Sequence, residues 1–176
     1  MDGCAPANVS ILESKRTRID PAGKHCALHI SHMHLYRIRR RFDSLASRGL
    51  VYRLAPEATL EEIQTAEARI GLEFPEQVVS FWKAFNGLEV KDPPFKILSL
   101  SEMNREAGLL TFSLGDRTVR IAFDVRGHNE AEQWSIVNAD TNYLVTLTMA
   151  SFWSIHMWNW IIKRRPIWYD VQDSRI

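Results

Sequence analysis

The order of hydrophobic periods along the chain predicts an α+β fold, an antiparallel β-sheet packed against N-terminal helices and a C-terminal helix. Three observations carry this. Apolar residues recur at helical spacing up to Gly87, alternate in twos from Phe95 to Leu147, and return to helical spacing after Ser151. Helices grouped apart from strands suit a layered α+β domain, whereas a parallel sheet would interleave the two.

Leu35, Ile38, Phe42 and Leu45 recur at helical spacing, with Arg37, Arg39, Arg40 and Arg41 on the other faces, which predicts a helix ending near Gly49. Val51 to Leu54 reads as a short extended link before Pro56. Thr59 followed three residues later by Glu62 is a capping box: each side chain can accept from the other residue's unpaired backbone N–H. The helix it opens carries Leu60, Ile63, Ala66 and Ile70 as its apolar stripe and ends at Gly71, a residue free to adopt the left-handed conformation. Pro75 starts a third helix with Val78, Trp82 and Phe85 on one side and Asn86-Gly87 as its stop.

Beyond Gly87 the pattern is that of strands. Phe95 to Leu100 reads as a strand leading into a polar turn at Ser101 to Glu106. Leu109 to Leu114 and Thr118 to Asp124 flank Gly115-Asp116 as a hairpin, and Gln133 to Asn138 pairs with Asn142 to Leu147 across an Asn/Asp-rich turn. Ser151 then caps a closing helix that aligns Phe152, Ile155, Trp158 or Asn159, and Ile162, before Lys163, Arg164 and Arg165 meet its negative end.

These words in this order resemble a known family. Thr59-Leu60-Glu61-Glu62-Ile63, Ile70-Gly71-Leu72-Glu73-Phe74-Pro75-Glu76, Phe81-Trp82 and Asn86-Gly87 are similar to the opening of SUKH domains, the Smi/Knr-like proteins. The resemblance extends from about Leu35 to Ile162, through Leu98-Ser99-Leu100-Ser101-Glu102 and Ser151-Phe152. Phe74 departs from the usual Leu or Ile before proline, and the loop from Arg126 to Gln133 lacks the usual Gly/Asp-rich character. Residues 1–33 show no sustained period and mix Pro6, Pro21, Gly3 and Gly23 with scattered charges, so a loosely ordered arm is expected there, before a SUKH-like domain over 34–170 and a tail over 171–176. The resemblance implies a protein without catalytic residues that acts by contact. The expected function is that of an immunity protein neutralising a bacterial toxin, such as a nuclease, by stoichiometric binding. The alternative is a regulatory or scaffold adaptor with an endogenous partner.

Charge narrows the partner. Lys plus Arg number 22 against 21 Asp plus Glu, so the chain as a whole has no strong pull on nucleic acid or membrane. Residues 1–56 hold ten basic and four acidic side chains, whereas residues 57–176 hold twelve basic and seventeen acidic ones. The acidic body points to a basic protein surface, with Asp124, Glu130, Glu132 and Asp140, in or beside turns, as its expected contacts. Six tryptophans exceed what one small core is expected to absorb. Trp82 and Trp134 are assigned to the core, and Trp153, Trp160 and Trp168 to the interface.

Other chemistry is weaker. His25, Cys26, His29, His32 and His34 include zinc-type ligands, but no second Cys/His cluster follows across a turn, so neither a metal nor a cofactor is expected. The arginine-rich helix lacks the broad basic footprint of a nucleic-acid binder. No G-x-S-x-G, H-E-x-x-H, Walker or dinucleotide fingerprint occurs, and the acidic residues sit where turns want polar side chains anyway. Only Cys4 and Cys26 are present, no signal-like segment opens the chain, and Met149 to Ile162 is too short and too interrupted to span a bilayer. A cytoplasmic location is therefore expected.

Overall fold

The structure, a computed structural model of the chain, describes residues 32–116, 118–166 and 168–169. Eight strands form one antiparallel sheet among these residues: β1 (Tyr52–Leu54), β2 (Leu88–Val90), β3 (Phe95–Ile97), β4 (Asn104–Glu106), β5 (Leu109–Gly115), β6 (Val119–Asp124), β7 (Ser135–Asn138) and β8 (Leu144–Thr146). Their order is β1-β2-β3-β5-β6-β7-β8, with β4 pairing the first half of β5 and β3 its second half. A bulge between Thr111 and Ser113 separates the halves. Helices α1 (His32–Ala46), α2 (Leu60–Ile70) and α3 (Glu76–Trp82) precede most of the strands, and a helical segment closes the fold, so the predicted α+β architecture is the one observed. The arm and tail lie almost wholly outside the described residues.

The capping box forms as its spacing requires. Thr59 Oγ1 accepts the Glu62 N–H at 3.1 Å and a Glu62 carboxylate oxygen accepts the Thr59 N–H at 2.7 Å, while Gly71 caps the other end at φ 72°. Ile63, Ala66 and Ile70 are buried, but Leu60 is 59% exposed. It sits on the first turn, where the stripe has not yet met the sheet. Helix α3 ends at Trp82, earlier than the Asn86-Gly87 stop. Those two residues instead tie the helix to the strands: Asn86 Oδ1 accepts the Leu100 N–H at 2.8 Å. Gly87, at φ 119°, lies so close to the Ile97 carbonyl that a Cβ would stand 3.3 Å from it.

Two further elements differ from expectation. The stretch read as a turn at Ser101 to Glu106 contains β4, whose three residues are all exposed and so give no alternation to read. The closing helix is capped by Thr148, whose Oγ1 accepts the Ser151 N–H at 3.1 Å, and not by Ser151. It runs as α4 (Met149–Ser151), a π-helical segment Phe152–Met157, and α5 (Trp158–Lys163). The π turn adds a residue per turn, so burial recurs at intervals of five: Phe152 with Met157, and Trp153 with Trp158. Ile155 and Ile162, aligned on a 3.6-residue stripe, are consequently 52% and 46% exposed.

The core is aromatic. Trp82 is fully buried, its indole N–H donates to the Leu98 carbonyl at 3.1 Å, and its ring meets Phe81, Phe112 and Phe123. We predict that Trp82→Ala lowers unfolding free energy by about 3–5 kcal/mol, read as a shifted denaturant midpoint. His156, half-buried and stacked on Phe152, has its pKa lowered by burial. The unfolded chain therefore binds a proton more readily, and stability falls as pH drops below about 6.5. Replacing His156 with Phe should make that loss between pH 7 and pH 5 smaller, as urea titrations at the two pH values will show.

Candidate functional site

The sheet has one face under helices and one face open. Val119, Ile121 and Phe123 of β6 point into the core, so Arg120, Ala122 and Asp124 point outward. Strand register extends this outer face in rows. Arg53, Glu89, Lys96, Leu114 and Arg120 stand directly opposite one another across five strands. A second row runs Asn104, Thr111, Ala122, Val137 and Leu144, and a third runs Glu106, Leu109, Asp124 and Ser135.

The middle row is polar at its β4 end, with Asn104 and Thr111, and apolar at its β8 end. Ala122 and Val137 are buried, and Leu144 at the β8 end is exposed. Charged rows stand on both sides. Arg120 donates to Asp140 at 2.7 and 2.9 Å and reaches Glu106 at 3.7 Å, a span that crosses the Thr111 position. Arg126 donates to both carboxylate oxygens of Asp124 at 2.7 Å and lies against Gly108, where a Cβ would meet its side chain at 2.5 Å. Hydrogen bonding from Arg126 lowers the Asp124 pKa, with partial burial opposing it.

Sequence-predicted contacts therefore fall into three groups. Asp124, at the end of β6, and Asp140, in the turn after β7, are each held by an arginine, so neither presents an uncompensated charge. Glu130 and Glu132 are exposed with no ion-pair partner among the described residues. They stand on a loop made rigid by Asn129, whose Oδ1 accepts the Ala131 and Gln133 N–H groups at 2.9 and 3.3 Å. Its Nδ2 reaches Ser135 Oγ at 3.2 Å and the Leu147 carbonyl at 2.7 Å.

The assignment of Trp153, Trp160 and Trp168 to an exposed interface is corrected, because all three are buried, at 9%, 7% and 0% exposure. The core has room because it extends past the helix–sheet layer. Trp153 inserts between Phe81 and Phe85, Trp160 donates to the Pro94 carbonyl at 3.0 Å, and Trp168 lies on Gly115 beside Phe95. Asn138 was missed by sequence reading. This buried amide accepts from the Asp140 and Thr141 N–H groups at 2.9 and 3.3 Å and donates to the Trp168 carbonyl at 2.9 Å.

A depression of about 530 Å³ beside β1 and β2 contains a serine–carboxylate arrangement that resembles an activated nucleophile. Ser99 Oγ lies 2.9 Å from Glu102 Oε2, but Glu102 also accepts the Ser99 N–H and pairs with Lys96. Burial would raise the Glu102 pKa, yet those bonds outweigh it and hold it below the ordinary value, which makes the carboxylate a poor base. Among the described residues no three His, Cys, Asp or Glu side chains converge as metal ligands, and no helix is long and apolar enough to cross a membrane. His25, Cys26 and His29 lie outside the described residues.

Fold and face together define an α+β domain with a covered sheet side and an outer side that carries rows of charged side chains. The chain belongs to the SMI1 / KNR4 family (SUKH-1), whose family model matches residues 57–162, more than half its length. No curated protein matches it significantly.

The rim pairs are exposed apart from a half-buried Asp124, and ion pairs open to solvent contribute little to stability. Arg120→Ala and Arg126→Ala should each change unfolding free energy by less than about 1 kcal/mol in denaturant titrations, so either is a clean probe of binding.

Proposed function

We propose that this chain is a non-catalytic protein-binding domain that engages a basic surface through the open sheet face and the adjoining 126–133 loop. In biological terms we read it as an immunity protein that occludes a toxin domain in the cytoplasm by stoichiometric binding. The observation that carries the reading is the outer sheet face, where rows of charged side chains stand beside the exposed Leu144, since protein interfaces set apolar contacts within a polar rim. Membership of the SMI1 / KNR4 family supports action by contact.

The electrostatics give the partner its sign. Residues 57–176 carry seventeen acidic and twelve basic side chains. Glu130 and Glu132 stand beside the open face with no ion-pair partner among the described residues, so they are the groups that steer a basic partner, while the Arg-held Asp124 and Asp140 shape the rim. A nuclease toxin presents Lys and Arg to its phosphate substrate, and an acidic surface can compete for them.

Affinity capture followed by association kinetics tests this. Capture from cells that carry a cognate toxin should recover that toxin, whereas recovery of an endogenous regulatory protein in its place would favour an adaptor. With the partner in hand, the double charge reversal Glu130→Lys with Glu132→Lys should slow association several-fold, with the melting temperature unchanged and the effect shrinking as salt is added. Leu144→Asp should speed dissociation. Binding that ignores both changes would remove the open face from consideration.

A further inference from the structure

Among the described residues β1, β4 and β8 each pair on one side only, and two of these edges carry charges that discourage further pairing. Arg53 in the middle of β1 is ion-paired with Glu89, and β4 consists of Asn104, Arg105 and Glu106, all exposed. Strand β8 has no such guard. From Thr141 to Thr148 the chain holds neither a charged residue nor a proline, and Leu144 and Leu147 are 50% and 44% exposed.

The backbone of this edge is open as well. The Tyr143 carbonyl accepts the Asn138 N–H at 2.9 Å and so points toward β7. The Leu144 N–H lies on the opposite side of that same planar peptide, and the Leu144 carbonyl alternates with that of Tyr143, so both point away from β7. Neither has a hydrogen-bond partner among the described residues. The loop that bears Glu130 and Glu132 is fastened to the end of this strand, where Asn129 Nδ2 donates to the Leu147 carbonyl at 2.7 Å.

We propose that the β8 edge receives an added strand: an extended segment of the basic partner pairs with the Leu144 backbone, sets an apolar residue against the Leu144 side chain and directs Lys or Arg toward Glu130 and Glu132. This rests on the reading of the open face and gives it a mode of binding. Two observations choose the occupant. The exposed carboxylates of Glu130 and Glu132 at the end of the strand call for a cation. A second copy of this chain, paired edge to edge, would bring only its own 141–148 stretch, which has no Lys or Arg to offer them. Strand β8 is three residues long and bulged, with Val145 left over between the pairs Val137–Leu144 and Ile136–Thr146. Backbone bonds alone therefore give a short contact, and the side chains on either side of it supply the selectivity.

The test uses the full chain and a labelled octapeptide of alternating Val and Lys as the probe. Hydrogen exchange at the Leu144 amide should slow at least about tenfold in excess peptide, while amides of β1 and β4 keep their rates. The same peptide with every backbone amide N-methylated keeps its charges but cannot pair, and fluorescence anisotropy should show it binding at least about tenfold more weakly. Leu144→Pro removes the outward N–H without taking a bond from the ladder and should weaken the intact peptide to the same degree, whereas Leu144→Ala keeps that N–H and should lose less. The methylated peptide gives its answer on the wild-type chain even if the proline variant fails to fold. Equal binding of the two peptides, or binding of neither, would overturn strand addition and leave the charge reversal at Glu130 and Glu132 as a separate test of the open face. Protection of the Leu144 amide in concentrated protein without peptide, together with a dimer in sedimentation, would also overturn it, because the occupant would then be a second copy.

Discussion

The seating of Trp82 is the contact on which the remainder of the structure depends. Its indole touches both layers at once, meeting Phe81 on its own helix and Phe112 and Phe123 on the central strands. Its N–H bond to Leu98 fixes the depth of the helix against the chain that leaves β3. Once α3 is placed, the Asn86 bond to Leu100 and the approach of Gly87 to the Ile97 carbonyl set the start of β2, and with it the register of every outer row. A site built on cross-strand register inherits its precision from that buried aromatic contact.

Much of this was legible because local rules and global packing agree. Thr59, Glu62 and Gly71 act within one helix, and the β5–β6 hairpin is announced by alternation on both sides of Gly115-Asp116. Trp82 and Trp134 fell into the core because their neighbours at strand or helix spacing are also apolar. Where reading failed, a rule of period was broken. The π segment shifts burial from a 3.6-residue stripe to an interval of five, which sends Ile155 and Ile162 outward and brings Trp153 in. Strand β4 is exposed along its whole length, so no alternation marks it.

The candidate site was only half legible for a different reason. Acidic residues in turns are visible in a sequence, but their compensation is not. Arg126 follows Asp124 by two residues, and that pair was within reach of inspection. Arg120 and Asp140 lie twenty residues apart and meet only because β6 and β7 run side by side. The distinction between held carboxylates and Glu130 and Glu132, which have no ion-pair partner among the described residues, therefore comes from topology. The same is true of the tryptophans, whose number looked excessive only while the core was taken to be a single helix–sheet layer.

Asn138 shows how closely two distant parts of the chain are coordinated. One side of its amide shapes the turn that carries Asp140, and the other side holds the carbonyl of Trp168, thirty residues later, whose ring closes over Gly115. A single planar group thus acts as a shared joint, and neither the turn nor the returning chain can be re-sculpted without disturbing its counterpart. Diversification of the rim is consequently easiest on the 126–133 loop, which is braced by its own Asn129 and can change its displayed side chains while the joint stays as it is.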